Sequence, residues 1–171
     1  ETTFTQGEDN ALRAMVPLMP ASTAKQLLVV GCVADIVEDQ LRRAFDALGV
    51  GPVQFFPARR ATDLPAVGPG TQLLLAQPFN GETVRALVAR GATLLEAPYP
   101  FGAEGTTAWL QAAADAWQIP ASHFQAVTRP LAERARTAMA HARSRLEGKR
   151  VFFMPDSQLE IPLAQIGRAH V

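Results

Sequence analysis

One cysteine and one tyrosine stand among 171 residues, and aromatic side chains make up only 7% of them. The single thiol, Cys32, excludes a disulfide framework, which needs pairs. It equally excludes a self-contained zinc or iron–sulfur site built from thiolates. An excess of one charge is missing too: 16 basic and 16 acidic residues give a formal net charge of zero. That balance offers nothing to nucleic acid or to an anionic membrane surface. No apolar run approaches the roughly 20 residues of a membrane span, and no signal peptide opens the chain, so a cytoplasmic protein is the default expectation.

The common nucleotide signatures are absent as well. The run after the first apolar segment is GCVADIV, not a dinucleotide fingerprint. The AVGPGT segment at 66–71 lacks the lysine and the strand–loop–helix setting of a Walker A loop. The histidines form no HxxxH or HExxH pattern. His141 sits between arginines on a helical stretch, and His123 lies in a short ambiguous segment.

What is present is a globular composition, 48% hydrophobic with 13 prolines and 12 glycines, in a chain long enough for one full core and part of a neighbour. The organising unit is residues 27–48. Near-continuous apolar residues at 27–31 read as a strand covered on both faces. The period then becomes helical, with Val37, Gln40/Leu41, Ala44/Phe45 and Leu48 recurring on the inward side and Glu38, Asp39, Arg42, Arg43 and Asp46 on the other. Asp35 suits the N-cap with Glu38 completing a capping box, and Gly49 offers the left-handed close.

The βα pattern repeats. After a polar lead-in at 1–8, a short helix at 8–19 is stopped by Pro17 and Pro20. Further strands are expected at Val53–Phe56, 72–76 and 93–96. A helix opens at Asn80 or Gly81 with Val84, Leu87 and Val88 inward and closes at Gly91. Another has Leu110, Ala113, Ala114 and Trp117 inward, with Thr106 or Thr107 as its cap. A long helix at 128–146 follows, with Leu131, Ala135, Ala138 and Met139 on one stripe. Gly148 and Lys149 mark a boundary before a fresh strand at 150–154. The fold expected is α/β: a flavodoxin- or Rossmann-like parallel sheet in the order 2-1-3-4, with helices on both faces and the first βα step of a following domain.

Ligands of such sheets collect beyond the carboxyl ends of the strands. There the most informative segment is PYPFGAEGTT, residues 98–107. Gly102 and Gly105 permit tight turns and close backbone approach, and a helix start behind them presents free N–H groups to an anion. A turn that merely seats the helix explains the same residues. Cys32 reads as a small residue at a strand end, and Glu104 and Asp156 as carboxylates that more often cap helices than bind.

Five segments, ETTFTQGED, VVGCVADIVEDQ, LLLAQPF, APYPFGAEGTTAWLQAAA and KRVFFMPDSQLEIPLA, resemble the N subunits of light-independent (dark-operative) protochlorophyllide reductase, a family similar to nitrogenase component 1. The resemblance runs from Glu1 to about Ala164. It implies a parent of three related α/β domains. Residues 1–25 then end the preceding domain, 26–125 form a complete one, 126–148 a connecting helix and 149–165 the start of the next. Residues 166–171, IGRAHV, match a translated sequencing adapter and are expected to be a non-native tail.

The same resemblance implies a two-plus-two heterotetramer with a B subunit and electron supply from an ATP-hydrolysing iron–sulfur L protein. It also implies a [4Fe–4S] cluster whose ligands lie outside this chain, and ATP bound by the L protein rather than here. The implied reaction is ferredoxin-driven reduction of the C17=C18 bond of protochlorophyllide to chlorophyllide a, in the cytoplasm or a plastid stroma, with no membrane span and no nucleic acid. No catalytic residue or metal ligand is carried onto this chain. Tyr99, Phe101, Gly102, Gly105 and Thr106 are implied candidates for the tetrapyrrole pocket, with Gln77, Phe79 and Asp156 weaker ones. The alternative is a small-ligand binding or scaffold module of flavodoxin-like fold without catalysis.

Overall fold

The computed structural model describes residues 3–146. The strand at 150–154, Asp156, the boundary at Gly148, the tail at 166–171 and the side chain of His141 lie outside the described residues. Four parallel strands, β1 (Gln26–Val30), β2 (Val53–Phe56), β3 (Thr71–Leu75) and β4 (Thr93–Leu94), form one sheet in the order β2-β1-β3-β4. This is the order expected from the alternation of strands and helices. β1 is internal, with Val29 facing Phe55 on one side and Leu74 on the other.

Both faces of the sheet are covered, which is why β1 is apolar without alternation. Leu27, Val29, Phe55 and Leu74 enter one core with α2 (Asp35–Leu48), α4 (Gly102–Ala116) and α5 (Ala121–Leu146). Leu28, Val30, Phe56 and Leu73 enter a second core beneath α1 (Phe4–Met15) and α3 (Gly81–Ala89). Trp109, absent from the inner face read from the sequence, is fully buried and donates its indole N–H to Leu75 O at 2.6 Å.

Several local expectations change. Residues 4–8 of the expected lead-in are helix, because Thr3 and Gln6 make the reciprocal capping box that starts α1. The box expected at Asp35 and Glu38 does not form: Ala34 is the N-cap of α2, and Glu38 turns into the interior. Val37 and Val88, both expected inward, are exposed. Gly49 does close α2 in the left-handed region, at φ 76°. β3 runs one residue earlier than expected, since Thr71 pairs with Gln26. β4 shrinks to Thr93–Leu94, with one further ladder bond from Leu95 N–H to Leu73 O at 2.9 Å.

The ambiguous segment before Thr128 belongs to α5, which starts at Ala121 directly after Pro120. Phe124 buries itself in the first core and anchors this early start. Pro130 is tolerated inside α5 because both it and Ala126, whose carbonyl loses a bond there, face water. α1 likewise packs on the sheet domain through Leu12, and the turn that follows it does so through Val16 and Met19.

Candidate functional site

The carboxyl ends of β1 and β3 bring residues 31–35 and 76–80 to one edge, and α4 begins beside them. The segment at 98–107 is not all loop. Phe101 is the N-cap of α4, and Gly102, at φ 67°, begins the helix. Thr106 and Thr107 therefore do not cap it. They lie in its second turn, where the Thr107 hydroxyl donates to Ala103 O at 2.7 Å. Glu104 in the first turn favours this early start, since an acidic group near the N-terminus suits the helix dipole.

Glycine is required at 105 by a close approach. A Cβ there would lie 2.9 Å from the carbonyl oxygen of Tyr99, which already accepts the Phe101 N–H at 2.8 Å. Tyr99 thus acts through its backbone, while burial pushes its half-buried phenol above the ordinary value. The tight turn projects Phe101 into a cleft of about 370 Å³ between the start of α4 and the start of α2. Val33, Val37, Leu41, Ala76 and Pro100 supply its apolar walls, and Gln40, Gln77 and Thr106 its polar groups. At Gln40, Leu41 and Thr106 the cleft meets a groove of about 870 Å³ between α2, α4 and α5, which Gly102 also lines.

Phe101, Thr106 and Gln77 therefore share one cleft and Gly102 borders the next, whereas Phe79 lies outside both and Asp156 outside the described residues. Gln77 is committed to the backbone. Its Oε1 accepts the Cys32 N–H and its Nε2 donates to Cys32 O, each at 2.9 Å, so the side chain continues the β1–β3 ladder by one step. The opposite wall, from Val33 to Leu41, was not among the expected site residues. Its signal was Val37, assigned to the helix interior when it faces the cleft.

Electrostatics set the shape of this edge. The buried carboxylate of Glu38 accepts from Arg42 Nε at 2.8 Å and Arg59 Nε at 3.0 Å. Arg59 also donates to Asp39 at 2.5 Å and Asp35 O at 2.9 Å, which pins the loop after β2 to α2. Those carboxylates raise the Arg59 pKa further. On α4, Glu104 pairs with Arg136 of α5 at 2.9 Å, and His123 lies 2.9 Å from Ala47 O by its Nε2.

Cys32 is an exposed residue. Partial burial of its sulfur, then a hydrogen bond to Glu8 and the charge of that carboxylate, push the thiol up to about 12. An iron–sulfur cluster needs several thiolate ligands, and Cys32 is the one cysteine of this chain, so the residues present do not make up a cluster site by themselves. Among the described residues no three His, Cys, Asp or Glu side chains converge as a metal site. None of their helices is long and apolar enough to cross a membrane.

Comparison with known proteins places this edge in context. The chain is 62% identical over 165 residues to light-independent protochlorophyllide reductase subunit N of Rubrivivax gelatinosus, covering 96% of this chain and 39% of that protein. It is 59% identical over 167 residues to the subunit N of Rhodopseudomonas palustris strain BisB5, with the same 96% and 39% coverage. Against the subunit N of Synechococcus strain RCC307 the figure is 56% over 165 residues, covering 96% and 40%. The chain thus spans about two fifths of the length of the curated relatives it matches. The family described as nitrogenase component 1 type oxidoreductase matches residues 1–168. The four-stranded parallel sheet with helices on both faces agrees with that match, and the chain belongs to the nitrogenase component 1 type oxidoreductases.

Proposed function

We propose that this chain is a portion of the N subunit of a light-independent protochlorophyllide reductase, and that its domain contributes one wall of the tetrapyrrole pocket. The observation that carries this reading is the apolar cleft at the carboxyl edge of the sheet, with Phe101 projected into it by a glycine-constrained turn. A flat conjugated macrocycle needs broad apolar contact, and an aromatic ring supplies that area at little entropy cost. Identity of 62% to a subunit of that reductase supports the assignment of substrate class.

In the whole enzyme the reaction is the ATP-dependent, ferredoxin-driven reduction of C17=C18, in a heterotetramer with a B subunit and with electrons from an iron–sulfur L protein. A [4Fe–4S] cluster would supply the electrons one at a time, and no residue of this chain is assigned to it. The part of Phe101, Val33, Val37 and Leu41 is to bind and orient the macrocycle and to exclude water from its face. Tyr99 and Gly105 position Phe101 and are not expected to react.

In a full-length subunit assembled with its partner, Phe101→Ala should weaken protochlorophyllide binding by roughly 1 to 3 kcal/mol, the range for uncovering one large apolar group. Absorbance titration of the purified complex measures it, with assembly and iron content checked alongside. Unchanged affinity in an intact complex would assign this edge to scaffold.

A further inference from the structure

The cleft is unequal in its polar groups. Of Gln40, Gln77 and Thr106, only Gln77 is engaged, by its two bonds to Cys32. Among the described residues neither the Gln40 amide nor the Thr106 hydroxyl has a hydrogen-bond partner. The two stand on α2 and α4, where the cleft meets the larger groove, since both line each of them. No charged side chain lines the cleft among the described residues. Arg43 and Arg134 line the groove beyond, and Arg59, beside the start of α2, is engaged by Glu38, Asp39 and Asp35 O.

We propose that Gln40 and Thr106 form a neutral polar clamp that holds a flat macrocycle by an uncharged carbonyl group and leaves its ionised carboxylate outside the cleft. The inference rests on the tetrapyrrole reading above and specifies the orientation of that ligand. A carbonyl oxygen entering the cleft exchanges water for an amide or hydroxyl donor, at nearly balanced cost. A carboxylate entering it would lose its hydration with no cation to offset the loss, which is far more costly. Protochlorophyllide offers both kinds of group, uncharged ring ketone and ester carbonyls and one free propionate. The chemistry of the cleft selects the uncharged edge.

The test compares protochlorophyllide with its propionate methyl ester on the full-length subunit assembled with its partner. Gln40→Leu and Thr106→Val should each raise Kd roughly three- to tenfold, the span of one neutral hydrogen bond, and by the same factor for acid and ester. Thr106→Ser keeps the hydroxyl and should restore the native Kd, separating a lost hydrogen bond from altered packing. A loss confined to the free acid would place the propionate at the clamp and overturn the proposal. Unchanged affinity in Gln40→Leu and Thr106→Val, with Phe101→Ala still weakened, would overturn the clamp and leave the pocket standing. No change in any of the three would overturn the pocket reading with it.

Discussion

Asp9 belongs to α1 yet completes α3. Its carboxylate accepts the backbone N–H groups of Glu82 and Thr83, each at 2.9 Å, and the Thr83 hydroxyl at 2.6 Å. The N-cap of α3 itself, Asn80, makes no such bond, so the orphan donors of that helix are satisfied from another element. Burial by itself would raise the Asp9 pKa, but the Thr83 hydroxyl, the two amides and the nearby Arg85 outweigh it, and the net shift is downward from 3.8. A depressed carboxylate stabilises the fold above its unfolded value, and that contribution disappears as pH falls through the lower folded value. Asp9→Asn should cost about 1 to 3 kcal/mol at neutral pH. The difference from the native protein should shrink below pH 3.8, as followed by urea unfolding across the acid range. A constant difference would remove the charge from the explanation. Glu38 shows the same logic on the other face, a carboxylate buried because Arg42 and Arg59 reach it while their own stems stay partly in water.

At the scale of the element, α4 shows how two glycines set the geometry of a site. Gly102 allows the left-handed entry at φ 67°, and Gly105 allows the first turn to press on the Tyr99 carbonyl. A β-branched side chain at 102 would add roughly 1 to 2 kcal/mol of backbone strain. At 105 the obstacle is rigid backbone, so Gly105→Ala should destabilise by about 1 to 3 kcal/mol, the usual range for overpacking. Both variants should also displace Phe101. Thermal melts should therefore fall together with ligand affinity, and retained affinity in a destabilised Gly105→Ala protein would uncouple the turn from the site. Helical spacing in the sequence showed that α4 exists. Its start was missed because two threonines look like caps, while the competing start at Gly102 depends on a contact with Tyr99 that no local pattern displays.

For the molecule as a whole, stability should be centred on β1. Every residue of β1 is buried, and the strand pairs on both sides between two separate apolar cores. β4 is a two-residue edge with both residues exposed. Amide exchange should accordingly be slowest at Leu28, Val29 and Val30, opening only with global unfolding, and orders of magnitude faster at Leu94. Comparable protection in the two strands would argue against β4 as the edge. The second core matters for this ranking: α1 covers Leu28 and Val30, so loosening residues 4–19 should lower protection across the whole sheet.

The chain by itself determined the strands, their order and the edge at which to look for a ligand. Alternating short apolar runs and helical periods admit few parallel topologies once crossovers are right-handed. Phe101 and Thr106 could be placed at that edge from the glycines around them. What only the tertiary structure decided is where the polar groups go. Asp9 meets Glu82 across 73 residues, Cys32 meets Gln77 across 45 and Glu38 meets Arg59 across 21. Periodicity read within a helix or strand reports which face is apolar on average. A carboxylate enters the interior only where the fold supplies cations or N–H donors to replace water, and those partners come from elsewhere in the chain.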